Sequence, residues 1–212
     1  MSRKRLNEDQ RDVLREIGNI GAGNAATALS QLLNQKIDMK VPKVNVVGFD
    51  EVMDLIGGPE QTIVGLMFRI NGDIPGTVYV ILQIEEAEYL VRKLTNNPDY
   101  SLFDNTENQE IAISALSEIG NILTGTYLSA LSDFTTMNLQ PSVPYLGIDM
   151  AGAILTVGLI EISHTSDYVI IIDTEMHQDD KQFEKISGKF LFIPDPESFH
   201  NLFTKLGIDY ND

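Results

Sequence analysis

Apolar residues in the first half of this 212-residue chain recur at two periods, which predict a long helix followed by strands. The helical period holds over about 25 residues, at Val13, Ile17, Ile20, Leu29, Leu32 and Leu33. Runs rich in β-branched residues then predict three strands, over 44–47, 62–70 and 76–82. A hairpin turn at Asn71-Gly72-Asp73 joins the last two, and a helix over 85–94 follows.

The second half predicts the same kinds of element in the same order. Its long helix is marked by Ile113, Leu116, Ile119, Leu123, Leu128 and Leu131. Apolar runs predict three strands after it, over 153–160, 168–173 and 189–193. A last helix is expected over 196–206, with Asp195 as its N-cap and Pro196 at its first position.

An internal repeat relates the two halves. The run from Glu16 to Ile20 recurs unchanged from Glu118 to Ile122, and 12 of the 31 positions from 12 to 42 are identical at this offset. We therefore predict one α/β (α+β) domain over residues 1–212, built from a repeat at about 7–95 and a second at about 105–207. Hairpins rather than strand-helix-strand crossovers predict a largely antiparallel sheet covered by helices, with internal pseudo-two-fold symmetry.

Composition narrows the possible functions. Lysine and arginine number 15 against 31 aspartates and glutamates, and this net charge of −16 argues against a nucleic-acid partner. The chain has no cysteine, which excludes disulfides, thiolate metal sites and a cysteine nucleophile. No apolar run reaches the roughly 20 residues of a membrane span, and the first residues lack the apolar core of a signal peptide. We expect a cytoplasmic protein without membrane insertion.

Each long helix carries three polar positions at i, i+4 and i+7, a spacing that places them on one helix face. They are Asp12, Glu16 and Asn19 in the first helix and Ser114, Glu118 and Asn121 in the second. A proline follows each asparagine after 22 intervening residues, at Pro42 and Pro144. The neighbouring isoleucines, Ile17 with Ile20 and Ile119 with Ile122, are expected to enter the core.

A carboxylate and a carboxamide on one helix face suit a site that acts on a partner's phosphoryl group. The carboxylate can pair with a lysine of that partner. The carboxamide can hold a water in line with phosphorus without presenting a charge to the phosphoryl oxygens, and catalysis of this kind is mostly positioning and electrostatics. A single pair is more typical of a solvated helix face, but two copies in register favour the functional interpretation.

This doubled pattern resembles the signature of the CheC, CheX and FliY family of chemotaxis phosphatases. The duplicated layout and the ending from Phe190 to Pro196 look like the CheC branch over nearly the whole chain. The resemblance implies that phosphorylated CheY is the substrate, that Asn19 and Asn121 orient the hydrolytic water, and that Glu16 and Glu118 pair with the regulator's lysine. It also implies that this chain binds no cofactor or metal itself, because CheY supplies the Mg²⁺.

Two further expectations come from the same resemblance. The halves differ at one signature position, Asp12 against Ser114, so equal activity of the two sites is not implied. CheD, a receptor deamidase, is the implied second partner, and the stretch from Gly147 to Gly152 with Asp149 is the candidate contact. The alternative interpretation of that stretch is a strand entrance with an aspartate turn.

Other interpretations remain open at this point. The chain could capture CheY or CheD as an adaptor without hydrolysis, or serve as a flagellar-switch scaffold. Gly18 and Gly120 either lie close to the docking surface or pack against the sheet. A dinucleotide-binding loop at Gly18, Gly21 and Gly23 is not supported, because these three glycines lie inside a helical pattern. The acidic run with Asp179, Asp180 and Glu184 is typical of a charged surface, and the three histidines have no ligand spacing.

Overall fold

The computed structural model describes residues 8–103, 109–162, 168–178 and 185–207. Both long helices predicted from the sequence are present, and each opens one half of the chain. The first half contains α1 (Glu8–Leu32), β1 (Ile37–Gly48), α2 (Phe49–Leu55), β2 (Thr62–Gly72), β3 (Gly76–Gln83) and α3 (Ile84–Thr95).

The second half repeats this order. It contains α4 (Gln109–Thr135), β4 (Leu139–Pro141), β5 (Tyr145–Met150), α5 (Ala151–Ile162), β6 (Tyr168–Gln178), β7 (Lys185–Pro194) and α6 (Pro196–Lys205). Strands β4 and β5 together occupy the place that β1 has in the first half. Across the described part of the chain, no helix has the length and apolar character needed to cross a bilayer.

The strands form one antiparallel sheet in the order β1-β6-β7-β3-β2-β4, with β5 also paired to β2. Its centre is the pair β3–β7, one strand from each half. The opening strand of each half pairs with a strand of the other half: β1 pairs with β6, and β4 and β5 pair with β2. The mixed helical and antiparallel fold class predicted from the sequence is therefore confirmed, and the two halves share one sheet.

Helices cover both faces of the sheet. On the first face, α1, α3, α4 and α6 pack on a large apolar layer that includes Phe68, Val80 and Ile170. On the second face, α2 and α5 pack on a smaller layer that includes Tyr79 and Ile171. Because alternate residues of a strand point to opposite faces, strands that are apolar at nearly every position, such as β3, supply both layers.

Helices α1 and α4 pack against each other on the first face. They are close together at Gly21, where an added Cβ would lie 2.7 Å from Cδ1 of Tyr127. The Tyr127 hydroxyl forms a buried 2.8 Å hydrogen bond with the Thr174 hydroxyl of β6. The glycine lets the helices approach, and the tyrosine fixes α4 on the sheet, so both long helices have a defined position.

Two local predictions need correction. Residues 153–160, expected as a strand, lie in α5, where Ala151 and Leu155 are buried one helical turn apart. A short apolar run rich in β-branched residues does not distinguish a strand from a buried helix. The strand in this region is β5, whose burial pattern has no strong alternation and gave no strand signal.

The start of α6 is as predicted, but its N-cap side chain has another partner. Asp195 precedes the helix and Pro196 is its first residue. The Asp195 carboxylate makes no cap hydrogen bond and instead accepts two from the Arg69 guanidinium, at 3.1 and 2.6 Å. This ion pair joins α6 to β2, and it links the two halves at the protein surface.

Candidate functional site

The polar stripe of α1 faces solvent. The side of the helix that contains Leu14, Ile17 and Ala25 is buried. Asp12, Glu16 and Asn19 are exposed, as the i, i+4, i+7 spacing predicted. Burial of one side fixes the rotation of the helix, so the carboxylate and the carboxamide point outward together.

The corresponding stripe of α4 has the same exposure. Ser114, Glu118 and Asn121 are all exposed, while Leu116 and Ile119 are buried. The structure therefore places the four residues predicted to act in catalysis at the surface of two neighbouring helices. Neither carboxylate is covered by the protein's own sheet.

The apolar neighbours of the stripe are buried less evenly than expected. Ile17 and Ile119 are core residues, and Ile122 is partly buried against the core. Ile20 is 44% exposed, so its predicted place in the core is wrong. The buried line of α1 passes through Ile17 and Gly21, which leaves Ile20 at its margin and next to Asn19.

The glycines near the stripes have two different environments. A Cβ on Gly18 would meet Val41 at 3.3 Å, and one on Gly120 would meet Leu66 at 2.7 Å. Both therefore serve close packing of helix on sheet, which decides between the two interpretations left open by the sequence. Gly23 and Gly125 have no atom within 4 Å of an added Cβ. Each lies four residues after its asparagine and continues the stripe.

Of the two signature prolines, Pro42 is exposed in β1 and Pro144 is partly exposed just before β5. Next to Pro42, the Val41 N–H donates a 3.2 Å hydrogen bond to Oδ1 of Asn19. This contact joins the asparagine to the strand that carries the proline. Sequence reasoning missed Val41, although the recurrence of Val41-Pro42 as Val143-Pro144 was a signal for it.

Charge differs around the two stripes. In the first half, Arg11 and Arg15 line a groove beside Pro42, and Arg15 pairs with Asp12 at 2.8 Å. The repeat places Ile113 and Ser117 at the positions of the two arginines. Ile113 is 43% exposed. The first stripe therefore has charged surroundings and the second has more apolar ones.

The described residues offer no metal centre of their own. Among them, no group of three or more histidine, aspartate or glutamate side chains is placed to hold a metal ion. His177 lies 3.3 Å from Glu175 at the far end of β6, and His200 is an exposed residue of α6. Asp179, Asp180, Glu184 and His164 lie outside the described residues. What the stripes can do chemically is to hold a cation with the carboxylate and a water with the carboxamide.

Asp149, the candidate for contact with a second partner, is exposed near the end of β5. Its carboxylate accepts a 2.7 Å hydrogen bond from the Met150 N–H. On β5, Leu146 and Ile148 pack on the layer beneath α1 and α4. Because strand residues alternate, Asp149 is directed to the opposite side, away from the two stripes. Asp149 and Met150 are the last two residues of β5 and α5 begins at Ala151, so the stretch is a strand end and not the strand entrance with an aspartate turn of the alternative interpretation.

Comparison with known proteins gives a family and a fold. The model of the CheC-like family matches residues 10–46 and 111–148, which contain the two stripes and their prolines. The CheY-P phosphatase CheC of Bacillus subtilis (strain 168) is 42% identical over 202 residues, covering 95% of this chain and 96% of the relative.

Two solved structures show the same fold. Thermotoga maritima FliY has a TM-score of 0.74 at 20% identity and is matched over 95% of this chain and 98% of its own. The FliM–SpeE complex from H. pylori has a TM-score of 0.68 at 13% identity, over 96% and 97% of the two chains. With its doubled family segments and a relative of this identity over nearly its full length, the chain belongs to the CheC-like family.

Proposed function

We propose that this protein is a phosphatase of phosphorylated CheY. The observation that carries the proposal is the pair of solvent-facing Glu–Asn stripes, Glu16 with Asn19 and Glu118 with Asn121, in register on two rigidly packed helices. A family relative that is 42% identical is a CheY-P phosphatase, which supports the same activity here. We assign the phosphatase activity to these two asparagines and two glutamates.

The reaction needs no nucleophile from this chain. Water attacks the phosphorus of the aspartyl phosphate, the bond to the aspartyl oxygen breaks, and the products are inorganic phosphate and the free carboxylate. Asn19 or Asn121 accepts a hydrogen bond from that water or donates one to it, and so fixes its approach. Positioning of this kind lowers the barrier because the entropy of alignment is lost before the reaction.

The glutamates serve docking in this proposal. Glu16 and Glu118 pair with a lysine at the regulator's active site, a charge-assisted contact worth about 1.5–3 kcal/mol once water is displaced. Mg²⁺ belongs to the regulator, where it offsets the charge of the phosphoryl oxygens. This chain supplies no cofactor. Asp12 and Ser114 lie one turn before the glutamates, where Asp12 is already paired with Arg15.

The test is phosphate release from Mg²⁺-loaded phospho-CheY with and without the protein. Combining Asn19→Ala with Asn121→Ala is expected to return the rate to that of CheY alone. The matched control is Asn24→Ala, which removes an exposed asparagine of the same helix outside the stripe and is expected to leave the acceleration intact. A double variant that accelerates release as well as the wild type would refute the assignment.

The adaptor alternative predicts a different pair of results. CheY carrying a stable acyl-phosphate mimic would bind the wild-type protein, but phospho-CheY would not lose phosphate faster in its presence. A switch scaffold shares the fold, as the FliM match shows, but that match is only 13% identical and concerns fold alone. A switch scaffold has no need of a paired Glu and Asn, whereas the adaptor alternative is motivated by the same stripes and is separated from a phosphatase by turnover alone.

We also propose CheD as a second partner, which contacts Asp149. Asp149 is exposed and directed away from the stripes, so CheD and CheY could bind together. Asp149→Asn removes the charge but keeps an oxygen for the Met150 N–H, so it tests charge without removing this hydrogen bond. It is expected to weaken CheD binding, while Asp133→Asn on α4 is the control. Equal binding by both variants would remove Asp149 from the proposal.

A further inference from the structure

Asn19 has a restrained side chain although it is exposed. Its Oδ1 accepts the hydrogen bond from the Val41 N–H at 3.2 Å. Only the oxygen of a carboxamide can accept from an N–H, so this bond also fixes which way the amide faces. The NH₂ group is then directed away from β1. Of the two carboxamides proposed to bind the hydrolytic water, that of Asn19 is therefore held in place before any partner binds.

The donor is available because β1 has a bulge at this point. Lys40 pairs with Glu175 and Lys43 with Asp173, so two residues of β1, Val41 and Pro42, lie opposite the single residue between these partners. Proline has no N–H and cannot continue a ladder, which makes a bulge the expected result. The bulge leaves the Val41 N–H outside the β1–β6 ladder. The Val41 side chain is buried beneath Gly18, which fixes the backbone beneath α1.

The second half has the same two residues but not the same contact. Val143 is 85% exposed, whereas Val41 is 3% exposed. Ser142 instead bonds to β2: its N–H donates to the Arg69 carbonyl at 2.8 Å, and its hydroxyl accepts from the Arg69 N–H at 3.0 Å. These bonds direct Val143 outward. Within the described residues, the Asn121 amide has no hydrogen-bond partner.

We propose that the Val41–Pro42 bulge positions Asn19 for the reaction, so that the first site is preset and the second is ordered only when its partner docks. This inference rests on the proposed function. It gives Pro42 a physical role: by breaking the ladder it frees the N–H that orients the asparagine. Val41 and Pro42 are positioning residues, since neither touches the reacting atoms.

A preset amide affects turnover more than binding. The rotamer entropy of Asn19 is lost on folding, so it is not lost again when the water is aligned. The free-energy cost of immobilising one such side chain corresponds to a factor of about two to ten in a rate constant. The loss of this restraint is therefore expected to lower kcat of the first site by about that factor, with little change in KM.

The hydrogen bond between Val41 and Asn19 can be tested without an activity measurement. Amide hydrogen exchange in the full chain should show Val41 protected and Val143 unprotected. Asn19→Ala should speed exchange at Val41 by about tenfold or more, whereas Asn19→Asp, which keeps an acceptor oxygen, should preserve the protection. Asn121→Ala should leave exchange at Val143 unchanged. Equal protection of Val41 in wild type and Asn19→Ala would overturn the proposal.

The positioning role is tested in a chain with only the first site active, made by Asn121→Ala. Adding Pro42→Ala should lower both the protection of Val41 and kcat, by about two- to tenfold for kcat, with KM unchanged. The matched control is Pro141→Ala, which removes a proline from the opening strand of the other half. It should leave kcat and Val41 protection as they were.

Three results of the Pro42→Ala experiment would overturn the proposal: loss of protection with kcat retained, loss of kcat with protection retained, or no change in either. Failure of the proposed function gives a different result. In that case the Asn121→Ala parent itself would not accelerate phosphate release, whatever the exchange rate at Val41.

Discussion

At the scale of single residues, α1 places three glycines in three environments. Gly18 packs on the sheet, Gly21 packs on Tyr127, and Gly23 meets nothing. A helical glycine costs about 1 kcal/mol relative to alanine. That cost is offset by close packing at Gly18 and Gly21, but at Gly23 no contact in the described part of the protein offsets it.

These environments predict opposite effects of the same substitution. Gly23→Ala should raise the free energy of unfolding by about 1 kcal/mol through helix propensity alone. Gly21→Ala should lower it by about 1–3 kcal/mol, because its Cβ would overlap Tyr127 and separate the helices. Urea unfolding measures both. Destabilisation by Gly23→Ala would show that the outer face of α1 is packed in some way that this structure lacks.

The exposed stripe residues were predictable because their spacing alone sets their face. Glu16, Asn19, Glu118 and Asn121 needed only the helical period. The exposure of Ile20 was not predictable in the same way, because it depends on where α4 crosses α1. The hydrogen bond from Val41 to Asn19 also depends on tertiary structure, since it requires a bulge set by pairing with the other half.

At the scale of secondary-structure elements, Tyr127 connects α4 to β6. Burial raises the pKa of its hydroxyl to about 12, and the hydrogen bond with Thr174 opposes that shift in part. The neutral form is thus favoured in the folded state. Its contribution to stability is fully present below about pH 10, the usual tyrosine value, and is lost as pH rises through the folded pKa.

Tyr127→Phe should therefore have an effect that depends on pH. At pH 7 it should lower the free energy of unfolding by about 1–2 kcal/mol, because the Thr174 hydroxyl is left buried without its partner. Between pH 10 and about 12 the wild type loses stability that the variant cannot lose, so the two curves should converge. Parallel curves would contradict a buried neutral Tyr127. Tyr145→Phe, at an exposed tyrosine, is the control and should follow the wild type.

Element types were predicted well where periodicity extended over many residues. Helices α1 and α4 carry the helical period through 25 and 27 residues. The sequence of α5 predicts a strand rather than a helix, because its 12 residues have few polar positions and contain no decisive period. The helix is stabilised by packing of Ala151 and Leu155 on the second apolar layer. Such a tertiary contact cannot be predicted from the local sequence pattern.

At the scale of the whole molecule, the two halves depend on each other for their sheet. β1 pairs with β6, and β4 and β5 pair with β2, so the opening strand of each half extends the hairpin of the other half. The duplication was evident in the sequence and predicted the order of the elements. It could not predict this exchange, because a repeat specifies the elements but not which copy they pair with.

The exchange predicts how fragments behave. If the chain is cut between residues 104 and 108, neither fragment should fold as a monomer. In each fragment the opening strand and the hairpin have lost the strands of the other half with which they pair. Mixed together, the two should form a one-to-one complex with cooperative unfolding. Circular dichroism and analytical ultracentrifugation measure this. A first-half fragment that unfolds cooperatively as a monomer would contradict the exchanged sheet.

The central claim is that phosphorylated CheY meets both solvent-facing stripes. Carbodiimide labelling of carboxylates, read by mass spectrometry, measures this directly, because Glu16 and Glu118 are exposed in the free protein. With Mg²⁺-loaded CheY carrying a stable acyl-phosphate mimic, labelling of Glu16 and Glu118 should fall severalfold, and labelling of Asp149 should stay the same. Unchanged labelling of both glutamates in the saturated complex would contradict the claim.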